Sequence, residues 1–147
     1  MEHMHGWIKR LMGGMDLRVE EEARAKILEE CGRGCIPRGF IADIKAVWET
    51  SNDLDDLVAK INDAWESAGA DAHMRREGEE VYAVYGRCYC PLVGDYPDEL
   101  SPSWCHCSRG WLLELFESAL ETPAQVELEK SVKRGDDVCR FKITRSP

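Results

Sequence analysis

The sequence predicts an α+β protein, with N-terminal helices followed by a small antiparallel sheet that carries one packed helix. Three observations lead there. Residues 1–70 repeat their apolar side chains at spacings of three and four, the period of an amphipathic helix. Residues 79–85 and two segments beyond residue 123 alternate apolar and polar instead, the period of a half-buried strand. One helical stretch at 109–121 separates them, giving the order helices, strand, helix, strand, strand. A chain of 147 residues is one domain by length, here 1–147, with a helical part at 1–70 and a sheet-containing part at 79–147.

Each element has its own signal. "GWIKRLMGGMD" places Trp7, Ile8, Leu11, Met12 and Met15 on a short helix, with a break expected near Gly13 and Gly14. Asp16 is the expected N-cap of the next helix, "LRVEEEARAKILEECG", which carries acids early and stops at Gly32. Ala23, Ile27, Leu28 and Cys31 form its apolar stripe. "FIADIKAVWET" makes a third helix. "LDDLVAKINDAWESA" makes a fourth, capped by Ser51 or Asp53, with Leu54, Leu57, Val58, Ile61 and Trp65 inward. "GADAHMRREGEE" is polar and reads as a turn.

"EEVYAVYGRCYC" then reads as a strand, with Val81, Ala83 and Tyr85 on one face. "SRGWLLELFESALE" is a helix capped by Ser108 that buries Trp111, Leu112, Leu115, Phe116 and Leu120. "AQVELEKSV" and "DVCRFKIT" form a hairpin through "KRGD", with Gly135 at the turn.

Composition narrows the function classes. A net charge of -9 and a pI near 5.0 disfavour a phosphate-binding surface, so neither nucleic acid nor an anionic membrane surface is an expected partner. No apolar run approaches the roughly 20 residues a bilayer-spanning helix needs. The opening "MEHMHGWIKRLMGGMD" lacks the pattern of a secretory signal, which predicts a cytoplasmic protein with reduced thiols. The remaining partner classes are a small-molecule ligand or metal, and a second copy of the chain. No G-x-G-x-x-G, P-loop, H-E-x-x-H or G-x-S-x-G motif occurs.

The seven cysteines carry the chemistry, and their odd number leaves one over in any disulfide scheme. Cys31 and Cys35 stand four apart, on one face if their helix is continuous. Core packing is the plainer reading of Cys31. Cys88 and Cys90 are two apart in the strand-like segment, so both thiols should project to one side. Cys105 and Cys107 repeat that spacing around His106. Cys-x-Cys is tighter than the usual zinc knuckle, yet four thiols in about twenty residues is dense for a chain without disulfides. Cys139 reads as core beside Phe141.

Three functional expectations follow. The leading one gathers Cys31, Cys35, Cys88, Cys90, Cys105 and Cys107 near the start of the 109–121 helix as ligands of zinc or an iron–sulfur cluster. The second makes Cys107 the nucleophile of a small thiol-dependent enzyme, its pKa lowered by the helix N-terminus that follows. The third is a non-catalytic sensor or partner domain with structural cysteines. Trp104, in the loop, and His106 are the candidate ligand-binding side chains; Trp104 would wall a pocket.

Two blocks add a resemblance. "GWLLELFESALETPAQVELEKSVKRGDDVCRFKI" resembles the end of the bacteriochlorophyll 4-vinyl reductase-type domain, a small-molecule-binding α+β module that also serves as the sensor of aromatic-responsive regulators. That resemblance implies a structural zinc, held by cysteines and a glutamate, beside an apolar ligand pocket. Cys139 matches its last ligand and the Cys107 region its first. Ser131 stands where such sensors carry a cysteine, and the glutamate aligns with Glu127 or Glu129. The whole chain, through "ILEECGRGC" and "SPSWCHCSRGW", is similar to a cysteine-rich family related to L-2-amino-thiazoline-4-carboxylate hydrolase. This second kinship implies opening of a cyclic C–N bond, although no catalytic set of residues maps onto the chain.

Overall fold

A computed structural model describes residues 2–146. The helices are α1 (Glu2–Arg18), α2 (Glu21–Cys35), α3 (Arg38–Glu49), α4 (Leu54–Ser67) and α5 (His106–Leu120). The strands are β1 (Ala72–Glu77), β2 (Glu80–Tyr85), β3 (Ala124–Lys130) and β4 (Cys139–Arg145). They form one antiparallel sheet in the order β1-β2-β4-β3. The fold is therefore α+β with N-terminal helices, as the periodicities predict.

Five local expectations are corrected. α1 runs unbroken through Gly13 and Gly14, because Ile8 and Met12 are buried along its inner face and hold it helical across the glycines. Asp16 consequently lies inside α1, where its carboxylate accepts from Ser101 Oγ at 2.9 Å and pairs with Arg24 at 3.4 Å. Glu20 is the N-cap of α2.

The polar stretch before residue 78 is an edge strand, β1, whose inward side chain is Met74 at 3% exposure. Asn62 of α4 bonds both the N–H and the C=O of Met74, at 2.7 and 2.8 Å, so a side-chain amide replaces the missing neighbouring strand. β2 ends at Tyr85, so Cys88 and Cys90 lie in the 86–105 loop and the side-sharing expected from a strand does not apply to them. Finally, α5 begins at His106 with Cys105 as its N-cap, so Cys107 and Ser108 are within its first turn.

The main core lies between the sheet and helices α3, α4 and α5, around Phe141, Ile143, Leu57 and Leu112. A second apolar cluster joins α1 and α2 to the 86–105 loop through Ile8, Met12, Leu28, Val93, Leu100 and Trp104. Lys133, buried at 5% exposure, donates from Nζ to the Tyr96 carbonyl and accepts from Leu100 N–H through its own, at 2.9 Å. These ties hold the cysteine-bearing loop against the body of the protein.

α2 and α5 meet at backbone distance. A Cβ placed on Gly32 would lie 1.8 Å from the Cys107 carbonyl oxygen, and one on Gly110 would lie 2.1 Å from that of Glu29. Cys31 and Cys35 flank the first of these contacts, which brings them beside Cys107.

Candidate functional site: a thiol-lined cavity

Where the loop, α5 and the sheet meet, they enclose a cavity of about 330 Å³. Its walls are aromatic and sulfur-rich. Tyr85, Phe141 and Cys139 come from the sheet, and Cys107, Ser108, Trp111 and Leu112 from α5. Cys88, Tyr89, Cys90, Trp104 and Cys105 come from the loop and its end, and Cys35 with Pro37 closes the α2 side. Six of the seven cysteines thus reach one cavity although they sit on four separate stretches of chain. Tyr85 stacks edge-on against Phe141 at 6.2 Å between ring centroids, and burial pushes its phenol far above the ordinary value.

The thiols fall into two groups that the sequence spacing does not reveal. Cys105, Cys139 and Cys88 lie toward the sheet, with the Cys105 sulfur 2.8 Å from Ser131 Oγ and Val132 N–H donating to the Cys139 sulfur at 3.4 Å. Ser131 is fully buried beside the Cys105 sulfur. Cys107 has Cys90, Cys35 and Cys31, drawn from the loop and α2, as its neighbours along with Cys105. Among the described residues, no three His, Cys, Asp or Glu side chains are arranged to hold a metal ion.

Burial decides the thiol charges. It pushes Cys107 up to about 12, and its neighbours Cys90, Cys35, Cys31 and Cys105 add to the shift. Cys105 rises to about 11, again through burial and against its hydrogen bond with Ser131. Cys88 and Cys139 also rise. The lowered pKa expected for Cys107 from its place at a helix N-terminus is therefore corrected. Loss of water and the crowding of other thiols outweigh a helix-end effect on the order of 1 kcal/mol.

His106 is turned away from this cavity. It lines a polar cleft with Asp16, Glu21, Arg24, Ser103 and Arg134, and its Nδ1 accepts from Arg109 Nε at 3.2 Å. Burial, then Arg109 and Arg134, lower its pKa. Trp104, at 7% exposure, lies on the cavity wall. Of the predicted site residues, Cys35, Cys88, Cys90, Cys105, Cys107 and Trp104 meet at the cavity, Cys31 stands beside it, and His106 belongs to the other cleft. Sequence reasoning missed Tyr85, Phe141 and Trp111 as site residues. Apolar periodicity assigns them to the core, and a cavity wall carries the same signal.

The fold has known counterparts. Trafficking protein particle complex subunit 3 from Naegleria fowleri, solved covalently bound to palmitic acid, matches with a TM-score of 0.65 at 16% identity, over 98% of this chain and 93% of that one. The phenol-responsive sensory domain of the transcription activator PoxR, solved with phenol, matches with a TM-score of 0.53 at 10% identity, over 95% and 71%. An H-NOX protein from S. oneidensis in the Fe(II)NO ligation state matches with a TM-score of 0.52 at 16% identity, over 84% and 66%. At these identities the likeness is one of fold. No curated protein matches the chain. A family description does, over residues 1–147, and the chain belongs to that family, the family of unknown function DUF6144.

Proposed function

We propose that the protein is a non-catalytic small-molecule-binding module of the sensor type, taking a compact apolar ligand into the thiol-lined cavity. The observation that carries this reading is the cavity itself, about 330 Å³ walled by aromatic rings and sulfur. Ligand sites are concave, mostly apolar and supplied with few polar groups, which describes this one. At about 30 Å³ per water-sized unit it has room for roughly ten non-hydrogen atoms. A volume near the lower end of the range for small-molecule sites suits a single- or fused-ring compound. The shared fold of a phenol-responsive sensory domain supports the same ligand size. Thiols held neutral by burial make soft, polarisable walls rather than nucleophiles.

The test is calorimetric titration of the full chain with 2-naphthol. Saturable one-to-one binding with a negative heat-capacity change is expected, together with a shift in tryptophan emission, because Trp104 and Trp111 line the cavity. Cys107→Leu and Cys90→Leu, which push bulk into the space from α5 and from the loop, should each weaken it at least tenfold. Binding left intact by both variants would place the ligand elsewhere and defeat the proposal.

A second reading, a thiolate metal centre of zinc or iron–sulfur type, draws on the gathering of Cys31, Cys35 and Cys90 around Cys107. Soft thiolates suit either group. The present arrangement fits no single ion, so these side chains would have to turn inward on loading. Metal analysis and an absorption spectrum of protein purified without oxygen decide the matter. Stoichiometric zinc or iron, lost in the Cys35→Ser and Cys107→Ser variants, supports a centre. Metal-free protein with seven titratable thiols removes this reading.

A further inference from the structure

The cavity has one cation on its rim, Arg87, and the way it is held suggests which chemical class enters. The Arg87 guanidinium lies over the Tyr89 ring, 4.7 Å from its centroid. The Tyr89 hydroxyl accepts the backbone N–H of Asp71 at 2.8 Å, so the ring that carries the arginine is itself fixed to the segment before β1. Several other arginines are already paired. Arg33 bonds Glu29, Glu114 and Glu117, Arg38 bonds Glu114, and Arg109 pairs with Glu29 at 2.9 Å. Arg87, which is exposed, differs from them: among the described residues its one partner is the Tyr89 ring. Asp71 packs against the Gly86 backbone next to it.

We infer that the ligand is an amphipathic acid, an aromatic or alicyclic monocarboxylate of about ten non-hydrogen atoms, with its ring among the cavity's aromatic side chains and its carboxylate on Arg87. This rests on the small-molecule reading of the cavity and adds the head group. A guanidinium presents paired N–H donors in a fork that matches a carboxylate, and stacking on Tyr89 prepays part of the ordering. The chain's net charge of -9 repels anions at a distance, so acceptance of an acid must come from a fixed local cation of this kind. The interior of the cavity, with neutral thiols and rings, offers the carboxylate nothing comparable.

Paired titrations test this with 4-methylbenzoate and its neutral isostere 4-methylbenzamide. The acid should bind about tenfold tighter than the amide, and added salt should weaken the acid alone. Arg87→Gln should remove the difference while leaving the amide's affinity within twofold. Arg87→Lys, which keeps the charge and loses the fork, should fall between. Equal affinity for acid and amide, or an equal loss for both in Arg87→Gln, overturns the proposal; in the second case Arg87 merely supports the loop. The amide and 2-naphthol then separate the two levels. If they bind without any preference for the acid, only the head group is wrong, and if nothing binds, the cavity reading falls as well.

Discussion

Gly32→Ala is expected to lower the unfolding free energy by about 3 kcal/mol, and Gly110→Ala by a similar amount, the scale of overpacking a close contact that cannot yield. The sign is the informative part. Inside a helix, exchanging glycine for alanine ordinarily stabilises by up to about 1 kcal/mol, because alanine has the higher helix propensity. At Gly32 the new methyl group would stand 1.8 Å from the Cys107 carbonyl oxygen and 2.9 Å from the Trp111 nitrogen, both backbone atoms of α5. At Gly110 it would stand 2.1 Å from the Glu29 oxygen on α2. Neither contact is the end of a flexible side chain, so only separation of the two helices relieves it. Gly13, on α1 with nothing within 4 Å, is the control, and Gly13→Ala should show the ordinary stabilisation.

Urea unfolding of the three variants reads both signs at once. If Gly32→Ala and Gly110→Ala gain stability as Gly13→Ala does, the backbone contact between α2 and α5 is wrong. The cavity would then lose the wall that Cys35 supplies. Loosening the contact should also move Cys31 and Cys35 away from Cys107, so weakened ligand binding in a folded Gly32→Ala protein is the functional counterpart of the same effect.

This contact also shows where the sequence stops being legible. Gly32 reads as a helix stop, since glycine after an apolar stripe normally is one, yet α2 continues to Cys35 and the glycine marks a crossing instead. Nothing local separates the two roles, because the requirement is set by α5, about eighty residues away. The α+β class, by contrast, is written in short-range periodicity. So are α3, α4, β2 and the β3–β4 hairpin, each of which buries one face. β1 escaped because an edge strand with a single buried side chain has no alternation to display.

For the site, cysteine density pointed to the right stretches of chain, but spacing misgrouped them. Cys105 and Cys107, two residues apart, have largely different surroundings: Cys105 meets Ser131, Cys139 and Cys88, while Cys107, next to Cys105, also meets Cys90, Cys35 and Cys31. The aromatic walls were hidden for a different reason: Tyr85 and Phe141 line the cavity from positions that the strand pattern assigns to the core.

Labelling with iodoacetamide at neutral pH should modify the exposed Cys31 and Cys35 first. Cys107 should react about a thousandfold more slowly than a thiol at its ordinary value of 9.0, because three pH units up to about 12 cost a factor of ten each in thiolate. The pH profile separates charge from access. If the thiol is slow because it is neutral, its rate climbs tenfold per pH unit and keeps climbing past 9.0; if it is slow only because the reagent cannot enter, the rate levels off there. The same shift has a stability consequence. A thiol whose folded pKa lies above its unfolded value contributes stability that is intact below about 9 and is lost as pH rises through about 11 for Cys105 and about 12 for Cys107. Alkaline unfolding should therefore set in above pH 9, and Cys107→Ala should blunt its slope. Preferential labelling of Cys107 at neutral pH would reverse the conclusion. It would mean that the helix N-terminus prevails over burial, and that the cavity holds a nucleophile in place of a neutral wall.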